Sequence, residues 1–304
     1  MKIRIVVATR KSLLALTQTR AFVRTLVARH PDLSVEELQV TTTGDLIQDR
    51  PLNEVGGKGL FIKEIEVALL EGRADIAVHS MKDVPAEIAP GLRLACVPHR
   101  EDPRDALITS SGKGLEGLPQ GAMIGSSSLR RVAQLRSLRP DFQFHALRGN
   151  VDTRIRRCHE GAVDAVVLAM AGLTRLGWLE RVTEPISAEL CLPAVGQGAL
   201  AIECRADDDR ALALLSVLHD AESATRVAAE RGVQRAIGGG CHVPLAAFAV
   251  REGDFLRLRA LFASDSGRIW RCERSISWPT DEGVAFALGE DLGRELLDAS
   301  GKGV

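Results

Sequence analysis

Short apolar runs alternate with helical stretches through the first half of the chain, and no other feature of its 304 residues restricts the fold so much. Residues 3–8 read as a strand, 13–27 as an amphipathic helix, 35–42 as a strand, 61–71 as a helix and 74–78 as a strand. Such alternation predicts a parallel sheet with helices on its faces. The polar stretch Pro98-His99-Arg100-Glu101-Asp102-Pro103 marks a crossing into a second unit that repeats the pattern. There, 122–125, 142–147 and 163–168 read as strands and 129–138 and 153–158 as helices. The small-residue loop Leu192-Pro193-Ala194-Val195-Gly196-Gln197-Gly198 then returns the chain to the first unit.

From Ser223 the pattern changes. A helix to Ala236 runs into Gly238-Gly239-Gly240-Cys241, strands follow across 245–262 and 268–276, and a last helix covers 282–297. This is a smaller α+β unit. A chain of this length accommodates two or three cores. The expected architecture is therefore two α/β domains facing a hinged cleft, plus a C-terminal α+β domain. The expected boundaries are 1–98 with 199–216, 104–192, and 221–304.

The formal net charge of −1 gives no overall field to recruit nucleic acid or an anionic membrane. No stretch approaches the ~20 apolar residues that span a bilayer, and the N-terminal apolar run is too short for a secretion signal. The six cysteines are scattered, with no Cys-x-x-Cys and no zinc spacing. Cys241 and His242 are adjacent, poor geometry for two ligands of one tetrahedral ion. A cytoplasmic protein with reduced thiols and no metal is expected.

The chemistry gathers where strands end. The run Ile76-Ala77-Val78 leads into His79-Ser80-Met81-Lys82-Asp83-Val84-Pro85, an acid and a cation side by side at the carboxyl edge of a strand. In open α/β sheets that edge is where ligands bind, and such a pair can move protons on a bound substrate. Two further strands run into hydroxyl-rich turns before a helix: Thr9-Arg10-Lys11-Ser12 and Ser126-Ser127-Ser128-Leu129-Arg130-Arg131. Hydroxyls, free backbone N–H groups and a helix start make an anion site, here reinforced by arginine.

Eight arginines fall between 130 and 157 against only Asp141 and Asp152. Arg136, Arg139, Arg156 and Arg157 read as wet helix faces. Arg130, Arg131, Arg148 and Arg154 stand at element boundaries facing the cleft. Phe142 and Phe144 are the only aromatics among them, few for base stacking, so a small polyanion is the better ligand. Gly56-Gly57-Lys58-Gly59 lacks the Walker spacing and the hydroxyl after its lysine; it reads as a flexible lid. Cys241, with three glycines before it and Pro244 after it, sits on a tight loop within reach of an electrophile.

These segments resemble the hydroxymethylbilane synthase (porphobilinogen deaminase) family. The matching pieces are Ala8–Ser12, Thr43-Gly44-Asp45, Val55–Phe61, His79–Pro85, Arg100–Asp105, Gly125–Arg131, Leu147–Asn150, Leu192–Gly198 and Gly239-Gly240-Cys241, in family order. The resemblance implies two domains similar to periplasmic binding proteins and a third carrying a dipyrromethane cofactor by a thioether to Cys241. It implies a transferase of porphyrin biosynthesis that condenses four porphobilinogens head to tail with loss of ammonia, then releases 1-hydroxymethylbilane by hydrolysis. Asp83 maps to the catalytic acid. Lys82, Asp83, Ser126, Ser128, Arg130 and Arg131 map to cofactor contacts, and Arg10, Ser12, Arg148, Arg154 and Arg175 to substrate contacts. Gly56, Gly57, Lys58, Gly59 and Phe61 map to a mobile loop over the cleft. The expected partners are porphobilinogen and its oligopyrrole chain, bound by a monomer.

Two departures are small. Ser126 stands where Thr is common in the family, which keeps the hydroxyl, and His242 stands where Gln is frequent. A non-catalytic two-lobed binding protein for a small polycarboxylate would also explain the cleft and its arginines. It leaves the cysteine loop and the Lys82–Asp83 pair without a purpose.

Overall fold

Ile5, Val7 and Ala8 of the first strand, β1 (Ile3–Arg10), are enclosed almost completely, as befits a strand covered on both faces. The structure is a computed structural model, and it describes residues 3–46, 59–238, 243–264 and 267–301. β1 pairs in parallel with β2 (Leu33–Val40) and β3 (Ile76–Ser80). Helix α1 (Leu13–Arg29) starts under a Ser12 cap whose Oγ accepts from the Ala15 N–H, and it buries Phe22 and Leu26 on this sheet. A short helix α2 (Thr43–Leu46) and helix α3 (Lys63–Leu70) follow, α3 burying Ile65 and Leu69.

The first sheet has the order β2-β1-β3-β10-β4, with β4 at Leu92–Cys96 and β10 at Leu200–Arg205. The second has the order β7-β6-β8-β5-β9: β5 is Asp105–Thr109, β6 Met123–Gly125, β7 Gln143–His145, β8 Ala165–Ala169 and β9 Glu184–Ile186. Its helices are α4 (Leu129–Leu138), α5 (Val151–His159) and α6 (Met170–Leu176). α7 (Asp209–Leu215) closes back onto the first core.

The sheets are mixed where a purely parallel pattern was expected. β10 runs antiparallel to β3 and β4, and β5 antiparallel to β8 and β9. The cause is topological. Leu200 pairs with Ser80 and Asp105 with Ala169, so β10 and β5 each begin beside the carboxyl end of a parallel neighbour. Both strands enter from the cleft, directly after a crossing, and therefore point the other way.

The C-terminal unit is an antiparallel meander, β11 (Leu245–Glu252), β12 (Phe255–Ala263) and β13 (Ile269–Ser277), covered by α8 (Ala221–Ile237) and α9 (Glu282–Ser300). Glycines let the two helices meet almost backbone to backbone. A Cβ on Gly289 would lie 1.9 Å from the Ala229 carbonyl oxygen, and one on Gly232 would lie 2.1 Å from that of Phe286. The units are bolted by Arg100 and Glu230, both buried: Nη1–Oε1 is 2.6 Å and Nη2–Oε2 3.1 Å. Glu230 also accepts from the N–H groups of Gly196 and Ala249, so one carboxylate joins the return loop, α8 and β11.

Candidate active site

β3 ends at Ser80, and Met81–Asp83 form one 3-10 turn. The Met81 N–H donates to the Ala199 carbonyl, and buried Met81 anchors the turn against Gly196, which has φ +64 and leaves no room for a side chain. Anchoring Met81 inward leaves Lys82 and Asp83 at the carboxyl edge of the sheet. Asp83 lines a recess with Arg10, Ser12, Phe61 and Ser80, the arginine and serine arriving from the end of β1. Among the described residues no hydrogen bond occupies the Asp83 carboxylate.

Arg10 is not idle. Its Nη2 lies 2.5 Å from Asp45 Oδ1, and its guanidinium stacks 4.3 Å over the Phe61 ring. Burial alone would raise the Asp45 carboxyl, but Arg10 and Thr42 donate to it and hold it below the usual carboxylate range. Phe61 in turn fills the space beside Gly44, whose N–H donates to the Leu60 carbonyl. Of the expected lid, Gly59 and Phe61 are placed here, while Gly56, Gly57 and Lys58 lie outside the described residues. Cys241 and His242 also lie outside them.

The cations at the start of α4 are tightly built in. Arg130 and Arg131, expected to face the cleft, are both buried and share Asp105. Arg130 Nη1 lies 2.8 Å from Asp105 Oδ2, while Arg131 Nε and Nη2 lie 3.0 and 2.7 Å from Oδ1. Arg130 Nη1 also donates to the Leu192 carbonyl and Arg131 Nη1 to that of Val167. The sequence could not reveal this, because the acid lies about 25 positions upstream on another strand. Its signal was a lone aspartate opening the otherwise apolar run Asp105–Thr109.

Around this clamp the cations press on one another. Lys82 loses water and feels Arg131, which together outweigh Asp83 and Asp105 and pull its ammonium down to about 8. Arg154, desolvated and close to Arg131 and Arg148, is pulled down to about 10. Its Nε donates to the Gly149 carbonyl. Arg175 is lowered by burial and donates to the Gly198 carbonyl at 2.6 Å. Mutual repulsion in a partly desolvated wall is relieved when an anion enters.

The hydroxyls sort in the same direction. Ser12 caps α1, Ser128 caps α4 by accepting from the Arg131 N–H, and Ser126 Oγ accepts from the Ser128 N–H. All three accept and none donates among the described residues, so each keeps an O–H for a ligand. Ser127 differs: it donates to the Leu147 carbonyl at 2.7 Å. Surplus cations, spare hydroxyl protons and the Asp83 acceptor match a dipyrromethane, whose carboxylates need donors and whose pyrrole N–H groups need an acceptor.

Helix α8, which precedes Cys241 in the sequence, docks at this turn. Arg231 Nη2 donates to the carbonyls of Pro85 and Ala86 at 3.0 and 3.1 Å, and Gln234 Nε2 to that of Val84. The helix ends at Gly238 in a left-handed cap, ~6 Å of axial rise beyond Gln234. The described part of the helix thus ends close to the Asp83 turn.

Two α/β lobes, a cluster of cations around the Lys82–Asp83 turn, and a third unit docked against that turn fit an enzyme acting on a polycarboxylate. Residues 5–213 match the family model described as porphobilinogen deaminase, dipyromethane cofactor binding domain, and residues 224–298 match the porphobilinogen deaminase C-terminal domain. The porphobilinogen deaminase of Sorangium cellulosum is 59% identical over 290 residues, covering 95% of this chain and 97% of that protein. That of Roseiflexus castenholzii is 50% identical over 296 residues, covering 97% and 96%. The chain belongs to the porphobilinogen deaminase family.

Proposed function

We infer that this protein is a hydroxymethylbilane synthase, a transferase that joins four porphobilinogens head to tail with loss of ammonia and releases the linear product by hydrolysis. The observation that carries the reading is the Asp83 carboxylate, bare of hydrogen bonds among the described residues and next to Lys82, an ammonium within the field of Arg130 and Arg131. The dipyrromethane cofactor supplies the pyrrole carbon to which the first substrate is attached.

The remaining work falls to side chains. Arg131, Arg148, Arg154 and Arg175 supply charge for acetate and propionate groups, and Ser12, Ser126 and Ser128 donate their spare protons to the same groups. Arg130, locked between Asp105 and Leu192, holds the shape of that wall. Loss of the substrate's amine leaves positive charge on the pyrrole ring, and Asp83 is placed to stabilise it through the ring N–H. Once the new carbon–carbon bond forms, the attacked carbon must lose its proton, and the Asp83 carboxylate is the base at hand. Lys82, near neutral pH for its ionisation, contributes a cation that an arriving carboxylate strengthens.

We further propose the division into residues 1–98 with 199–216, 104–192 and 221–304, with the cofactor anchored at Cys241 and residues 56–61 covering the cleft. We also propose a cytoplasmic monomer that needs no metal; its five described cysteines are free thiols, and no described helix is long and apolar enough to cross a membrane.

Two experiments test this reading. Intact mass of the denatured protein beside a Cys241→Ser variant should show an excess equal to two linked pyrrole units only on the parent. Asp83→Asn should abolish turnover while retaining bound pyrroles; full activity in that variant removes Asp83 from the reaction.

A further inference from the structure

Behind the Asp83 turn, on the face away from the recess, lies a second cleft of about 370 Å³ between β4 and helices α8 and α9. Clefts of this size hold small molecules. Met81, Val97, Val227 and Phe286 give it apolar walls, and exposed Arg93 stands at its rim.

Arg231 also lines it, and Arg231 is the anomaly. It is only 7% exposed, yet it has no acidic partner among the described residues. Its bonds go to the carbonyls of Pro85 and Ala86 and to the Met81 sulfur, and Nε donates to nothing among the described residues. Glu203 is the one acid whose field reaches it, but Glu203 spends Oε2 on His79 at 3.0 Å. A buried guanidinium without a carboxylate is costly. The opposite rim carries His219 beside Glu282 at 3.2 Å, one acid against the two guanidiniums of Arg93 and Arg231, which leave the cleft cationic over an apolar floor.

We propose that this cleft is a second ligand site, separate from the catalytic recess, for an amphipathic monocarboxylate. The carboxylate pairs with Arg231 and Arg93, and a flat or aliphatic body lies on Met81, Val97, Val227 and Phe286. An occupant touches the same guanidinium that holds the Pro85 and Ala86 carbonyls, so the site communicates with the turn that carries Asp83.

The test is calorimetric titration of the holoenzyme with naphthalene-2-carboxylate and with its uncharged carboxamide. The carboxylate should bind at one saturable site per chain, about tenfold or more tighter than the amide. Arg93→Glu should weaken it at least about tenfold, and Ala228→Phe, which fills the cleft, should abolish it. Both variants should still turn over porphobilinogen. Equal binding of acid and amide, unchanged binding in Arg93→Glu, or no saturation by roughly 10 mM overturns the proposal. If Ala228→Phe fails to fold, Arg93→Glu decides alone, since that side chain is exposed.

Discussion

Arg131 forks onto a single oxygen of Asp105, its Nε at 3.0 Å and its Nη2 at 2.7 Å from Oδ1, while Arg130 spans both, Nη2 3.1 Å from Oδ1 and Nη1 2.8 Å from Oδ2. Three groups that are each nearly inaccessible form one ionic knot at the start of β5. The knot fixes where Arg131 points, and Arg131 is the cation whose field reaches both Lys82 and Arg154.

Asp105→Ala should therefore destabilise by about 3–5 kcal/mol, the usual cost of stranding a buried charge, and here two are stranded. Urea unfolding measures it. Burial alone would raise this carboxyl, but the two arginines hold it well below the ordinary carboxylate range. A carboxyl depressed in the folded state stabilises at pH above its unfolded value of about 3.9 and loses that contribution below it. The gap between wild type and Asp105→Asn should thus be widest near neutrality and shrink under strong acid.

The Lys82 ammonium carries the opposite linkage. Desolvation and Arg131 lower it to about 8, so between about 8 and about 10.4 the unfolded chain holds more protons and stability rises with pH. Compared in the cofactor-free Cys241→Ser background, Lys82→Met should lack that part of the rise. Identical pH profiles for the two proteins would argue against a desolvated Lys82.

Arg100→Met should cost about 3–5 kcal/mol, because it leaves Glu230 buried and charged at the meeting point of three segments. Calorimetry should show the C-terminal unit separating from the remainder as a distinct transition. A single cooperative transition at the wild-type temperature would refute the bolt.

Gly289→Ala should be worse than its size suggests, since the new methyl would sit 1.9 Å from a backbone oxygen that cannot swing aside. Overpacking of this kind commonly costs about 1–3 kcal/mol or more. Loss of covalent cofactor, read by intact mass, should accompany it, because α8 carries the segment that leads to Cys241.

Much of this was legible in the sequence, for identifiable reasons. The parallel core of the first sheet announced itself through apolar runs at strand length, and the Lys82–Asp83 pair through its place after one of them. The reversed strands did not: β5 and β10 drew no strand reading from the sequence, and their direction is decided by where the crossing delivers the chain. Arg130 and Arg131 were recognisable as important, but their enclosure was not, because a clamp on Asp105 is a long-range contact with no periodicity. The same holds for Arg231, which reads as one more polar position on α8 until Pro85 and Ala86 are folded against it.

The two crossings between the lobes run side by side and are laced together. The Glu101 N–H donates to the Gly198 carbonyl at 3.2 Å, and Gln197 Nε2 reaches the Pro103 carbonyl at 2.7 Å. A single tether could swivel about its own bonds, whereas a two-ply ribbon resists torsion and yields mainly by flexing across its width. Any opening of the lobes is thereby confined mainly to one arc, like a page turning on its spine.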